Sequence, residues 1–146
     1  MKILFLHGLQ SKPGGAKVKF LESLGHEVMN PYLPHEDFQE SINIAQNLIK
    51  EKPDVIVASS RGGAIAMSVC REGIKTILIA PAYKKYDVKP PVSTGNEIVL
   101  HSINDDIVPV VDSARLVSNQ GYKLHVCGAD HRMSDDVALQ MLERVL

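Results

Sequence analysis

The sequence predicts an α/β protein of three layers, a parallel sheet with helices on both faces, and three observations carry that prediction. Strand-like and helix-like segments alternate from one end of the chain to the other. The runs Ile3-Leu4-Phe5-Leu6, Val55-Ile56-Val57-Ala58, Ile77-Leu78-Ile79-Ala80 and Ile98-Val99-Leu100 are apolar without alternation, the pattern of strands covered on both sides. The chain has 146 residues, 45% of them hydrophobic and 23% charged, which suits one domain over 1–146 with a core of its own.

The elements follow in order. The first strand is 2–6, and a helix over 14–24 enters after Pro13 and stops at Gly25. A second strand at 26–30 leads to a helix over 37–51, which Pro53 separates from the third strand, 54–58. A helix over 62–72 begins at Gly62-Gly63-Ala64 and has Gly73 as its stop; a strand at 76–80 follows. The least regular stretch is 82–96, with Lys84, Lys85, Pro90, Pro91, Ser93, Thr94 and Gly95, a loop too short for a lid domain. A strand at 97–102, a helix over 111–119, a strand at 121–127 and a helix over 134–145, capped by Ser134 or Asp135, complete the chain.

Composition narrows the function. Net charge is −1, without the basic excess that binding a phosphate backbone or an anionic membrane surface needs, so neither nucleic acid nor membrane is expected as a partner. The N-terminal apolar run is too short for a signal peptide and no run reaches membrane-spanning length, so a cytoplasmic protein is expected. Cys70 and Cys127 are too few for a disulfide framework, and their apolar surroundings predict buried thiols. Neither G-x-G-x-x-G nor a phosphate-binding G-x-x-x-x-G-K-[ST] run follows the first strand, so no nucleotide cofactor is expected.

The chemistry concentrates at Ala58-Ser59-Ser60-Arg61-Gly62, where the third strand turns into a helix. Small residues two before and two after Ser60 relieve crowding at such a turn and lift the hydroxyl clear of the sheet. The backbone N–H of Arg61 then lies at a helix N-terminus, where unpaired amides favour a developing oxyanion. Ser59 is the neighbouring alternative, but only Ser60 has small residues on both sides. Open parallel sheets place ligands at the carboxyl ends of their strands, which is where His7-Gly8, Ser60, Asp105, Asp106, Asp130 and His131 all fall. The order Ser60, Asp105, His131 is the Ser-Asp-His order of one acyl-transfer architecture. A metal site built from His101, Asp105, Asp106, Asp130 and His131 is the competing reading; no His-x-x-x-His or Cys-x-x-Cys spacing supports it, and no metal is expected.

With these residues in view, the chain resembles the α/β-hydrolase family in a minimal form, over nearly its whole length. Phe5-Leu6-His7-Gly8 resembles the family's strand ending in His-Gly, Ala58 to Gly62 its nucleophile elbow, Asp105-Asp106-Ile107-Val108-Pro109 its Asp-x-x-Val-Pro acid loop, and Gly128-Ala129-Asp130-His131 its histidine loop. The opening His-Gly-Leu-Gln-Ser and the missing lid look most like a small esterase subgroup that includes YqiA-like enzymes. The resemblance implies a six-stranded parallel sheet in the order 2-1-3-4-5-6, the family's first two strands being absent. It implies Ser60 as nucleophile, His131 as base, Asp105 as the acid that orients it, and the backbone N–H groups of Leu9 and Arg61 as the oxyanion hole. Spacing to Val108-Pro109 favours Asp105 over Asp106. His7, Gly8 and Gly62 would support the site, and His26, His35, His101 and His125 would be structural or solvated. The Arg61 side chain would either attract an anionic substrate group or be a solvated helix-start residue, and Lys84, Lys85 and Lys89 would form a solvated loop. The implied partner is a small ester or thioester, cleaved without a cofactor; a hydrolase-like binding protein without turnover is the alternative. Oligomeric state depends on surface patches that a sequence does not display.

Overall fold

The apolar runs become strands in a computed structural model, which describes residues 1–9, 11–71 and 73–146. β1 (Lys2–Leu6), β2 (Glu27–Met29), β3 (Val55–Ser59), β4 (Lys75–Ile79), β5 (Glu97–His101) and β6 (Lys123–Val126) form one sheet in the order β2-β1-β3-β4-β5-β6. Every neighbouring pair is parallel, with Leu4 opposite Ile56, Ala58 opposite Leu78 and Leu78 opposite Val99. The two-residue period of a strand divides the core between the faces. On one, Leu4, Leu6, Ile56, Ala58 and Leu78 pack with Ala45 of α2 (Phe38–Ile49) and Ile65 and Ala66 of α3 (Arg61–Ser68). On the other, Ile3, Phe5, Val57, Ile77 and Ile79 pack with Val18 and Leu21 of α1 (Ala16–Ser23) and with Ala138 and Leu142 of α5 (Asp136–Val145). This gives the three layers that the sequence predicts.

Helix ends depart from the expectation where a neighbouring element supplies hydrogen bonds. α3 stops at Ser68, short of residue 72, and Val69 is extended (φ −106°, ψ 154°). There the α2 side chain of Gln46 accepts the Cys70 N–H at 2.9 Å, so the chain leaves the helix with its amide satisfied. Gly73 is consequently a turn residue before β4 (φ +79°) and not the helix stop. Asp135, rather than Ser134, caps α5, accepting from Ala138 N. α4 (Val110–Arg115) runs on into a widened turn, Leu116–Gln120. The 82–96 connection is more ordered than expected: it opens with a 3-10 turn over Tyr83–Tyr86, with the Tyr83 hydroxyl donating to Asp112 O at 2.7 Å and Lys84 paired with Asp112 at 3.2 Å. It carries no lid domain. The thiols are also less covered than expected, since Cys70 is exposed and Cys127 half-buried.

Candidate active site

Four loops at the carboxyl ends of β1, β3, β5 and β6 converge, and the sequence of each explains its shape. After β3 the backbone reverses at Ser60, whose φ of 54° and ψ of −115° are strained for a residue with a Cβ. The main chain around it is pinned: Ser60 N donates to Ile79 O at 2.9 Å, and Ser60 O accepts from Gly63 N and Ala82 N. Gly62 lets α3 start directly against β1, since a Cβ there would lie 2.0 Å from Leu6 O and 2.9 Å from His7 O. The β1 loop abuts the elbow at Gly8, where an added Cβ would lie 3.4 Å from Ser60 Cβ. His7, 3% exposed, shapes that loop: Nδ1–H donates to Gly8 O at 2.8 Å, and Nε2 accepts from Leu33 N at 3.1 Å.

The histidine loop is fastened from beneath. Ser102 Oγ donates to Gly128 O at 2.9 Å, Ala129 N donates to Asp135 Oδ1 at 2.9 Å, and Met133 fills the core. Lys17, on α1, donates to Arg132 O and lies 3.4 Å from Ser134 Oγ. Its burial, with Arg132 nearby and against the pull of Asp130, lowers its pKa to about 8.

These loops bring Ser60, Asp105 and His131 together. The Ser60 hydroxyl donates to His131 Nε2 at 3.0 Å, and His131 Nδ1–H donates to Asp105 Oδ2 at 2.7 Å. The Asp105 side chain is fully buried and the His131 side chain 19% exposed, so the carboxylate is shielded while the imidazole reaches solvent. Burial would raise the pKa of Asp105, but hydrogen bonds from Val108 N, His131 and Ile107 N outweigh it and hold the carboxyl below its ordinary value. Asp106 is exposed and outside this network. Ser59 is buried in β3, under the elbow. Leu9 follows Gly8 in the loop beside Ser60, with an exposed side chain. Among the described residues, no group of three His, Cys, Asp or Glu side chains is arranged to hold a metal ion.

One placement differs from the sequence reading. Arg61 is neither a substrate-facing cation nor a solvated helix-start residue: it is 1% exposed, and its guanidinium donates to Pro34 O at 2.8 Å and Ser41 Oγ at 3.1 Å. The guanidinium carbon lies 5.5 Å from the Phe38 ring centroid and 5.7 Å from that of Tyr86, two rings stacked on each other. Arg61 therefore ties the elbow to the α2 N-terminus and the β4–β5 connection, leaving only its backbone N–H for the site. His101, expected to be structural or solvated, is structural, and it has a partner in the candidate site that the sequence reading did not assign. It is fully buried at the end of β5 and lies 3.0 Å from Asp105 Oδ2; its four-residue offset from Asp105 was the available signal.

Comparison with solved structures agrees with this architecture. A protein placed in the alpha/beta superfamily of hydrolases, from Xanthomonas campestris pv. campestris, superposes with a TM-score of 0.67 at 19% identity, over 99% of this chain and 94% of that one. Est1E from Butyrivibrio proteoclasticus gives 0.73 at 16% identity, over 99% and 84%. Alpha/beta hydrolase domain-containing protein 10 from mouse gives 0.67 at 17%, over 97% and 86%. The chain has the α/β-hydrolase fold. No protein-family model and no curated protein matches the sequence. Open parallel α/β sheets place ligands at the carboxyl ends of their strands, the edge where Ser60, Asp105 and His131 meet. No helix among the described residues is long and apolar enough to cross a membrane.

Proposed function

We propose that the protein is a serine hydrolase that cleaves small carboxylic esters or thioesters through an acyl-enzyme intermediate. The observation that carries this reading is the continuous hydrogen-bonded line from Ser60 Oγ through the His131 ring to Asp105. Ser60 attacks the acyl carbon while its proton passes to His131 Nε2, and the imidazolium that forms is stabilised by buried, ionised Asp105. The tetrahedral oxyanion is held by the N–H groups of Leu9 and Arg61, and its collapse expels the alcohol or thiol with the proton from His131. Water then repeats the sequence on the acyl-Ser60 ester, restoring the hydroxyl.

The short β4–β5 connection supports a site open to solvent. Such a site draws little binding energy from distant parts of a long acyl chain, so short acyl groups are preferred and KM is high. The test is hydrolysis of p-nitrophenyl acetate by wild type and Ser60→Ala. Loss of at least about 10⁴-fold in kcat in a folded S60A protein supports the reading, since removal of a triad member has that scale. Wild type that binds esters without turning them over would make the protein a hydrolase-like binding module instead.

A further inference from the structure

We propose that His101 is a positioning residue for the triad acid, holding Asp105 Oδ2 in line with His131 and tempering the carboxylate's hold on the imidazolium. The inference rests on the serine-hydrolase reading. Asp105 Oδ2 faces two histidines, His131 Nδ1 at 2.7 Å and His101 Nε2 at 3.0 Å, while Oδ1 accepts from Ile107 N and Val108 N, each at 2.8 Å. The His101 ring has no freedom of its own. Nε2 also lies 2.9 Å from Val108 O, so it faces two acceptors and carries the proton. Nδ1 lies 2.6 Å from Ser113 Oγ on α4, a hydroxyl that donates to it. Both His101 and Ser113 are fully buried, and Asp105 is the one charged group bonded to the His101 ring among the described residues.

The chain Ser113 O–H to His101 to Asp105 polarises the Nε2–H toward the carboxylate. Each donor to a carboxylate stabilises its charge and lessens its pull on a neighbouring cation. With His101 in place, Asp105 receives four N–H groups and orients His131 without retaining its proton too tightly. Without it, Oδ2 has His131 alone and the imidazolium is held more strongly.

The test compares His101→Leu, which removes the donor, His101→Gln, whose amide nitrogen can reach the same oxygen, and Ser113→Ala, which removes only the hydroxyl behind the ring. The measurement is the pH profile of kcat/KM on p-nitrophenyl acetate, with folded fraction set by far-UV circular dichroism. H101L should lower kcat about 10- to 100-fold, the scale for groups that orient functional ligands, with KM within about twofold of wild type. Its acid limb should move to higher pH. H101Q should regain most of kcat and return the limb toward wild type, and S113A should move it in the same direction as H101L by a smaller amount. Should H101L not fold, S113A, which removes a single oxygen, carries the test. An acid limb unmoved in S113A and in the folded His101 variants, with activity tracking only the folded fraction, overturns the positioning role. Retained turnover in S60A would instead sink the serine-hydrolase reading, whatever His101 does.

Discussion

Gly62→Ala perturbs the joint on which the site depends while adding a single methyl group. The new Cβ would sit 2.0 Å from Leu6 O, 2.6 Å from Leu6 C and 2.9 Å from His7 O, all main-chain atoms at the end of β1. Since real Cβ contacts essentially never fall below 3.0 Å, α3 must retreat from β1 by about 1.0 Å, and no side chain can rotate to absorb it. That movement separates the Ser60 elbow from the loop that carries Gly8 and Leu9. Overpacking of this kind costs about 1–3 kcal/mol, with the upper end expected here because backbone must move. At a urea m-value of about 1.5 kcal/mol/M, a loss of about 3 kcal/mol lowers the unfolding midpoint by about 2 M. A misplacement of about 1 Å between reacting groups costs on the order of 10²-fold in rate, so kcat/KM should fall by at least that much in the fraction that stays folded. Gly15→Ala is the control for an added methyl group, because its Cβ would meet nothing nearer than Lys12 O at 3.9 Å; Gly15 is the N-cap of α1, so a loss of no more than about 1 kcal/mol is expected there. A G62A protein with the wild-type midpoint and activity would refute the close approach of α3 to β1, and with it the explanation of the elbow.

The adjacent carboxylates should separate sharply. Asp105→Asn should lower kcat by about 10⁴-fold by disturbing the tautomer of His131, while exposed Asp106→Asn should change it little; the reverse ranking in steady-state kinetics would move the acid one residue along. Glu97 accepts from Ser93 Oγ, Thr94 N and Thr94 Oγ1 and lies 3.5 Å from buried Arg71. Although burial would raise its pKa, these bonds and Arg71 hold it below its ordinary value. A depressed carboxylate contributes stability that is present above its unfolded pKa, about 4.5, and is lost as pH falls through the folded value. Glu97→Gln, which strands the Arg71 charge, should therefore cost about 3–5 kcal/mol near pH 7 and flatten the stability loss below that pH, as urea unfolding against pH would show. On p-nitrophenyl esters from two to sixteen carbons, kcat/KM should be highest at the short end, with no jump above the micelle concentration of the longer ones; a long-chain preference would contradict an open site.

What the sequence disclosed and what it hid divide along a physical line. Strands buried on both faces leave continuous apolar runs, and the tight elbow imposes small residues at Ala58 and Gly62, so the sheet and the position of Ser60 were readable from local pattern. The end of α3 was not, because Val69 and Cys70 continue the apolar sequence past Ser68, and the Cys70 amide that leaves the helix is satisfied by a side chain of α2, Gln46. Arg61 misled for a similar reason. A charged residue at a helix start reads as solvated, and its burial depends on Pro34, Ser41, Phe38 and Tyr86, three of them more than 20 positions away. His101 had a legible offset from Asp105, but its inward direction is fixed by Ser113 on α4 and by the main chain at Val108.

The central claim is that Ser60 is an activated nucleophile, and covalent labelling tests it without knowledge of the natural substrate. The protein is treated with a fluorophosphonate, digested, and sequenced by mass spectrometry. The account predicts one adduct on Ser60, with Ser59 unmodified, no adduct in Ser60→Ala, and labelling at least about 10²-fold slower in His131→Ala because the base is gone. An unlabelled wild-type protein, or an adduct on another residue, would contradict it.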